Sequence, residues 1–202
     1  MRKTPPGERC ICKGILMHLS EQGSVLGLDV STSITGLSIF DSSGKCVHNA
    51  SIDTRNKNRY PDLYRKAREV RTELIKIEGK YSISSIYIEQ SLHSFRSGFS
   101  SAQVLSTLSR FNGMISWVCY NIFNKKPEMI SASTARKTAG ITVRRGENAK
   151  QKCFDFVVDE YPDFVVEYTR NGNLKPGVLD RSDSYIIAKA GWEICKKENS
   201  SY

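Results

Sequence analysis

Between residues 60 and 79, Leu63, Ala67, Val70, Leu74 and Ile77 recur at spacings of four and three. That is one apolar helical stripe with charges around it, and Gly79 follows its end. The segment lies between two strand candidates. Upstream, residues 25–29 (VLGLD) form a continuous apolar run of the kind found in a central strand covered on both faces. Downstream, residues 82–90 (SISSIYIEQ) return as a strand. A strand, a helical crossover and another strand imply a parallel pair, most simply the second beside the first. This constraint organises the rest of the chain.

After the first run, residues 36–40 read as a second strand. DSSGK (41–45) is a hairpin turn with Gly44 free to take a positive φ, and residues 45–52 alternate as a third strand. Residues 100–123 form a helix in which Arg110 is the only charged side chain. A helix so poor in charge is covered on more than one side, by the sheet and by a second subunit or the rest of the fold. Residues 128–131 are a short strand, Ser133 is placed to cap a brief helix, and residues 147–160 form another helix. Residues 163–178 are a polar loop. A final helix covers about 180–197, with Asp183, Ile187, Ala190 and Ile194 on one stripe. The order predicts an α/β fold with a mixed five-stranded sheet, three antiparallel meander strands followed by parallel strands, flanked by helices. At 202 residues this is one domain, 23–198, preceded by a flexible basic arm, 1–22.

Parallel pairing puts the C-terminal ends of strands 25–29 and 82–90 on the same edge. Asp29 ends one and Glu89 the other; Asp41 ends an antiparallel strand and falls at the opposite edge, and Asp53 follows a non-neighbouring strand end. Two carboxylates on one edge repel unless a cation or proton lies between them. Asp180 and Asp183 stand three apart at a helix start and can point the same way, although an Asp at an N-cap or first turn also has a purely structural use. Oxygen-only ligands from scattered elements suit Mg²⁺ or Mn²⁺ and argue against zinc. The surrounding chain is basic, with 30 Lys and Arg against 21 Asp and Glu and a net charge of +9. That balance favours a polyanionic partner, nucleic acid before membrane. No apolar run reaches the length of a membrane span, and residues 1–24 lack the apolar core of a secretion signal. Six scattered cysteines look like reduced thiols, and Cys10 and Cys12 lack a second pair at zinc-finger spacing. The expected setting is intracellular, in cytoplasm or nucleoid, with a eukaryotic or viral compartment left open.

Three blocks, LGLDVSTSITGLSIFD, YIEQ and DRSDSYIIA, resemble the signature blocks of RuvC-type Holliday-junction resolvases within the RNase H-like superfamily. STARKTAG, a basic loop and ENAKQKCFDFV extend the likeness over residues 24–195. The resemblance implies a crossover junction endodeoxyribonuclease of DNA recombination and repair. It would resolve four-way junctions by paired symmetric nicks, acting as a homodimer through two-metal phosphodiester hydrolysis with two Mg²⁺ per site (Mn²⁺ substituting). Position by position, Asp29, Glu89, Asp180 and Asp183 match the metal-binding carboxylates, and Lys150 a catalytic basic residue near the scissile phosphate. Arg136 or Lys137 falls near another basic position. The family's aromatic at the junction centre corresponds to Phe95 or Phe99, with His93 an outsider, at a spacing that departs from the bacterial pattern.

Arg144, Arg145 and Lys152 join these as nucleic-acid contacts, whereas Lys125 and Lys126 read as a solvated face. Three other functions compete. One is an RNase H-like nuclease for other branched, flapped or RNA-containing substrates. The second is a non-catalytic nucleic-acid binder, against which all four acids weigh. The third is an actin-like sugar kinase or ATPase, which would need two such domains.

Overall fold

The computed structural model describes residues 23–90 and 102–200. The expected arm at 1–22, and Phe95, Phe99 and His93, lie outside them. The described elements run β1 (Ser24–Asp29), β2 (Ile34–Phe40), β3 (Cys46–Asp53), α1 (Leu63–Glu78), β4 (Ile83–Glu89), α2 (Ala102–Phe123), β5 (Glu128–Ile130), α3 (Ala132–Thr138), α4 (Ala149–Glu160) and α5 (Val178–Asn199). The strands form one sheet in the order β3-β2-β1-β4-β5. β1 pairs antiparallel with β2 and parallel with β4; β2–β3 is antiparallel and β4–β5 parallel. The crossover expected from the α1 stripe is therefore present, and β4 lies directly beside β1. No described helix is long and apolar enough to cross a membrane.

Strand alternation divides the core into two layers. Leu26, Leu28, Leu37, Ile39, Ile86 and Ile88 pack with Val70 and Leu74 of α1 and Phe111 and Ile115 of α2. Val25, Phe40 and Tyr87 face the other way, against Tyr185, Ile186 and Ala188 of α5 and Val157 of α4. α5 is buried nearly all round over Ser182–Ala188, more fully than the single stripe expected.

Glycines let α5 lie directly on the strands. A Cβ on Gly36 would stand 1.9 Å from the Asp180 carbonyl oxygen, and one on Gly27 would stand 2.3 Å from the Ala188 nitrogen. Neither is compatible with this packing, so β2 and β1 present bare backbone where the helix crosses.

Three boundaries differ from expectation. Ser131, not Ser133, caps α3, its hydroxyl oxygen accepting the Thr134 N–H at 3.1 Å. α4 starts at Ala149 behind Asn148, because Glu147 turns back to accept the Arg144 N–H at 2.7 Å. α5 starts at Val178 behind Gly177, whose φ of 94° suits glycine. Asp180 is thus inside the first turn and is not the N-cap, which removes one structural explanation for it.

Candidate active site

The sheet register builds the site. Leu28 pairs with Ile88 across the parallel β1–β4 ladder, so the next residues, Asp29 and Glu89, emerge side by side. Both follow the phase of Val25, Gly27 and Tyr87, the residues that face α5, and so point to that layer. Asp29 also pairs with Gly36 across the antiparallel β1–β2 ladder. Gly36 is where the Asp180 backbone touches the sheet. Asp180 is thereby brought to Asp29 by a cross-strand pair and a missing side chain, and Asp183 follows one helical turn later.

A buried polar network fixes this end of α5. The Ser38 and Ser184 hydroxyls lie 2.9 Å apart, and Asn49 Nδ2 donates to Ser38 Oγ at 2.8 Å and to the Arg181 carbonyl at 2.9 Å. The Ser184 hydroxyl also donates to the Arg181 carbonyl at 2.9 Å. These residues tie β2 and β3 to the segment between the two aspartates. On the other side, Asn112 Nδ2 of α2 donates to the Glu89 carbonyl at 2.9 Å, holding the end of β4. Sequence reasoning missed Gly36, Ser38, Asn49, Ser184 and Asn112. Their signal was weak: polar or glycine residues at inward positions of otherwise apolar elements.

The four carboxyls perturb one another. Burial raises Asp29 well above the ordinary carboxylate range, and the charges of Glu89, Asp183 and Asp180 raise it further while Lys150 opposes them. Burial and then Asp183 push Glu89 to about 6, against the pull of Arg136 and Lys150. Burial lifts Asp183 to about 6, with Lys150 and Arg136 opposing and Asp180 adding to it. Asp180 is raised by burial, against its backbone hydrogen bonds and the charges of Lys150 and Arg55. Each of the four still keeps part of its surface open to solvent, so protein atoms crowd them without sealing them off.

Lys150, exposed in the first turn of α4, acts on all four acids. Asn148 positions that turn by accepting the Lys150 N–H at 3.0 Å. Of Arg136 and Lys137, Arg136 is the one whose charge bears on Glu89 and Asp183. Lys152 pairs with Glu147 at 3.2 Å, while Arg144 and Arg145 are exposed in the loop before α4. Lys125 and Lys126 precede β5 and so belong to the opposite edge. Cys46, Cys119, Cys153 and Cys195 are free thiols.

Among the described residues, no three His, Cys, Asp or Glu side chains are gathered closely enough to hold a metal ion between them. The donor set is instead an open row of carboxylates at one edge. It fits Mg²⁺, which keeps several waters and takes one or two carboxylates together with substrate phosphate oxygens. Carboxylates outnumber the cationic side chains acting on them, and burial magnifies the imbalance.

No protein-family model and no curated protein matches the sequence. Solved structures do. Thermus thermophilus RuvC in complex with Holliday junction substrate superposes with a TM-score of 0.61 at 10% identity, covering 87% of this chain and 96% of that one. Another Thermus thermophilus RuvC structure gives 0.60 at 12% identity with the same coverage. The yeast mitochondrial Holliday junction resolvase Ydc2 gives 0.57 at 16% identity, covering 89% of this chain and 82% of that one. With a mixed sheet in the order 3-2-1-4-5 and helices on both faces, the chain has the RNase H-like fold of the RuvC-type resolvases.

Proposed function

We propose that this chain is a divalent-metal-dependent DNA endonuclease that resolves four-way junctions by paired symmetric nicks. The observation that carries the reading is the meeting of Asp29, Glu89, Asp180 and Asp183, from three separate elements, at one open edge under the charge of Lys150. The likeness to junction-resolving enzymes over most of the chain supports the choice of substrate.

In this reading Asp29, Glu89, Asp180 and Asp183 would together hold the divalent ions, Mg²⁺ by the chemistry of their oxygen donors. Ions held there would supply an activated water and stabilisation of the attacking and leaving oxygens of an in-line displacement. The protein's own part is placement and charge. β1 and β4 hold Asp29 and Glu89 on rigid strand ends. The Asn49–Ser38–Ser184 network holds α5 so that its two aspartates face them. Lys150 stands at the solvent side, where an ammonium offsets charge building on the phosphate. Crowding of the acids keeps a bare site costly, so binding of divalent ions is coupled to relief of repulsion.

Paired nicks call for two sites related by two-fold symmetry, which a homodimer supplies. α2 offers the face. Its Phe111, Ile115 and Cys119 are buried, whereas Trp117 and Tyr120, stacked with ring centroids 6.0 Å apart, are 64% and 45% exposed, and Val104 is 55% exposed. Sedimentation showing only monomer at micromolar concentration rejects the dimer.

The deciding experiment is cleavage of a mobile four-way junction beside duplex, flap and RNA–DNA hybrid controls, with and without Mg²⁺. Symmetric, Mg²⁺-dependent nicking of the junction is expected. Preference for a flap or hybrid replaces the substrate while keeping the site, and metal-independent or absent cutting rejects the site.

A further inference from the structure

The acid edge has a second basic flank. Between residues 55 and 71 the chain carries seven Lys and Arg against two acids, and between 136 and 152 six against one. Topology brings both groups to the same edge. β3 runs parallel to β1, since each is antiparallel to β2, so the loop after Asp53 leaves from the edge that carries Asp29. β5 runs parallel to β4, so Ile130 leads into α3 and Arg136 at that edge too. In the order β3-β2-β1-β4-β5 the two groups stand at opposite ends, with Asp29 and Glu89 between them. Electrostatics agrees: Arg55 acts on Asp180 from one side, and Arg136 on Glu89 and Asp183 from the other.

The loop between β3 and α1 is built to hold its charges in place. Thr54, 1% exposed, donates its N–H to the Ser33 carbonyl at 2.8 Å and its hydroxyl to the same oxygen at 3.1 Å. Asn56 Oδ1 accepts the Asn58 and Arg59 N–H groups at 3.0 and 3.1 Å, and buried Tyr60 donates its N–H to the Asn56 carbonyl at 2.8 Å. Asp62 caps α1 by accepting the Arg65 N–H at 2.8 Å. Lys66 donates to the Thr32 carbonyl in the β1–β2 turn, which ties α1 to the strand end carrying Asp29. On this frame Lys57 and Arg59 are exposed, and Asp53, Arg55, Asn56, Arg59 and Tyr60 line a shallow hollow.

Resting on the nuclease reading above, we infer that the β3–α1 loop is a docking surface for the phosphate backbone of the DNA strand being cut, opposite the α3–α4 basic group. β3 to β5 is four inter-strand steps, about 19 Å at ~4.8 Å each. At ~3.4 Å per nucleotide along one strand, the track covers about five to six nucleotides centred on the acids. The contacts are to phosphate and carry no base preference.

The test uses the full chain carrying Lys57→Ala with Arg59→Ala, neither residue being part of the acid site. The probes are a four-way junction and a plain duplex, titrated without metal over a range of salt. The slope of log affinity against log salt is expected to become shallower by about 1 per residue removed, with affinity near 0.1 M salt falling about tenfold on both probes. Lys57→Glu alone is expected to weaken binding further than Lys57→Ala. Lys125→Ala with Lys126→Ala, at the opposite edge, is expected to leave the slope unchanged. An unchanged slope in the Lys57/Arg59 variant, or an equal loss in the Lys125/Lys126 variant, overturns the inference while junction cutting leaves the nuclease reading standing. A wild-type chain without salt-dependent DNA affinity or Mg²⁺-dependent cutting overturns both.

Discussion

Asp29 and Asp41 end adjacent strands of one sheet and behave in opposite ways. Asp41 closes β2 at the edge where β1 begins. Burial is the largest single influence and raises its pKa, but the Ser43 hydroxyl at 2.6 Å and the Lys45 and Ser43 amides at 3.0 and 2.9 Å together outweigh it and hold Asp41 below the ordinary range. It is a satisfied turn aspartate. Asp29 closes β1 at the other edge, where burial and three neighbouring carboxylates raise it. One acid stabilises the fold by being charged; the other is charged at a cost. The contrast teaches that a carboxylate's role is set by what the strand's direction places beside it.

The largest expected effect separates the two directly. Asp29→Asn should lower Mg²⁺-dependent junction cleavage about 10³-fold or more, about 4 kcal/mol of barrier, with binding of the uncut junction retained. Asp41→Asn should leave cleavage within about twofold and cost on the order of 1 kcal/mol in urea unfolding. Comparable cleavage by both variants would erase the contrast.

Gly36→Ala comes next. Its Cβ would collide with the Asp180 carbonyl, so α5 must shift or the chain lose about 3 kcal/mol. Chemical denaturation and cleavage should fall together, whereas an alanine here that leaves both unchanged would mean α5 does not lie on β2.

The pH dependence of stability is smaller and has a definite sign. Glu89 and Asp183 have folded pKa values near 6, above their unfolded ones. The native state therefore holds more protons between roughly pH 4 and 6, and stability falls as pH rises through that window. Each group contributes on the order of 2 kcal/mol, less where the two overlap. Above pH 7, Mg²⁺ should restore stability, and it should do so less in Glu89→Gln. Thermal melts from pH 4 to 8 with and without Mg²⁺ measure this; a bare protein that gains stability across pH 4 to 6 contradicts the crowding.

The smallest effect tests the support beneath the acids. Ser184→Ala removes the hydroxyl linking Ser38 to the Arg181 carbonyl and should cost about 1 kcal/mol in denaturation. The maximal cleavage rate should fall several-fold while junction affinity holds. A loss of affinity without loss of rate would place Ser184 in binding instead.

Much of this molecule was legible in its sequence. The stripe Leu63 to Ile77 predicted α1, and α1 between two apolar runs predicted the parallel β1–β4 pair. That pair put Asp29 and Glu89 on one edge, and the antiparallel β2 put Asp41 on the other. Helix starts were less legible: Glu147 and Gly177 changed them through local bonding that composition does not reveal.

The sequence by itself determined which carboxylates were available and which strand ends carried them, because period and direction follow from local patterning. A resemblance in the sequence already grouped Asp180 and Asp183 with the other two, but the contacts that bring them there are visible in the tertiary structure alone. They depend on a long helix lying on Gly36 and Gly27 and on serines and an asparagine meeting from three elements, and such contacts between distant parts of the chain leave no periodic trace. The second basic flank emerged for the same reason. In the sequence, residues 60–71 show only charges around the α1 stripe; the strand order is what sets the β3–α1 loop across the acids from Arg136.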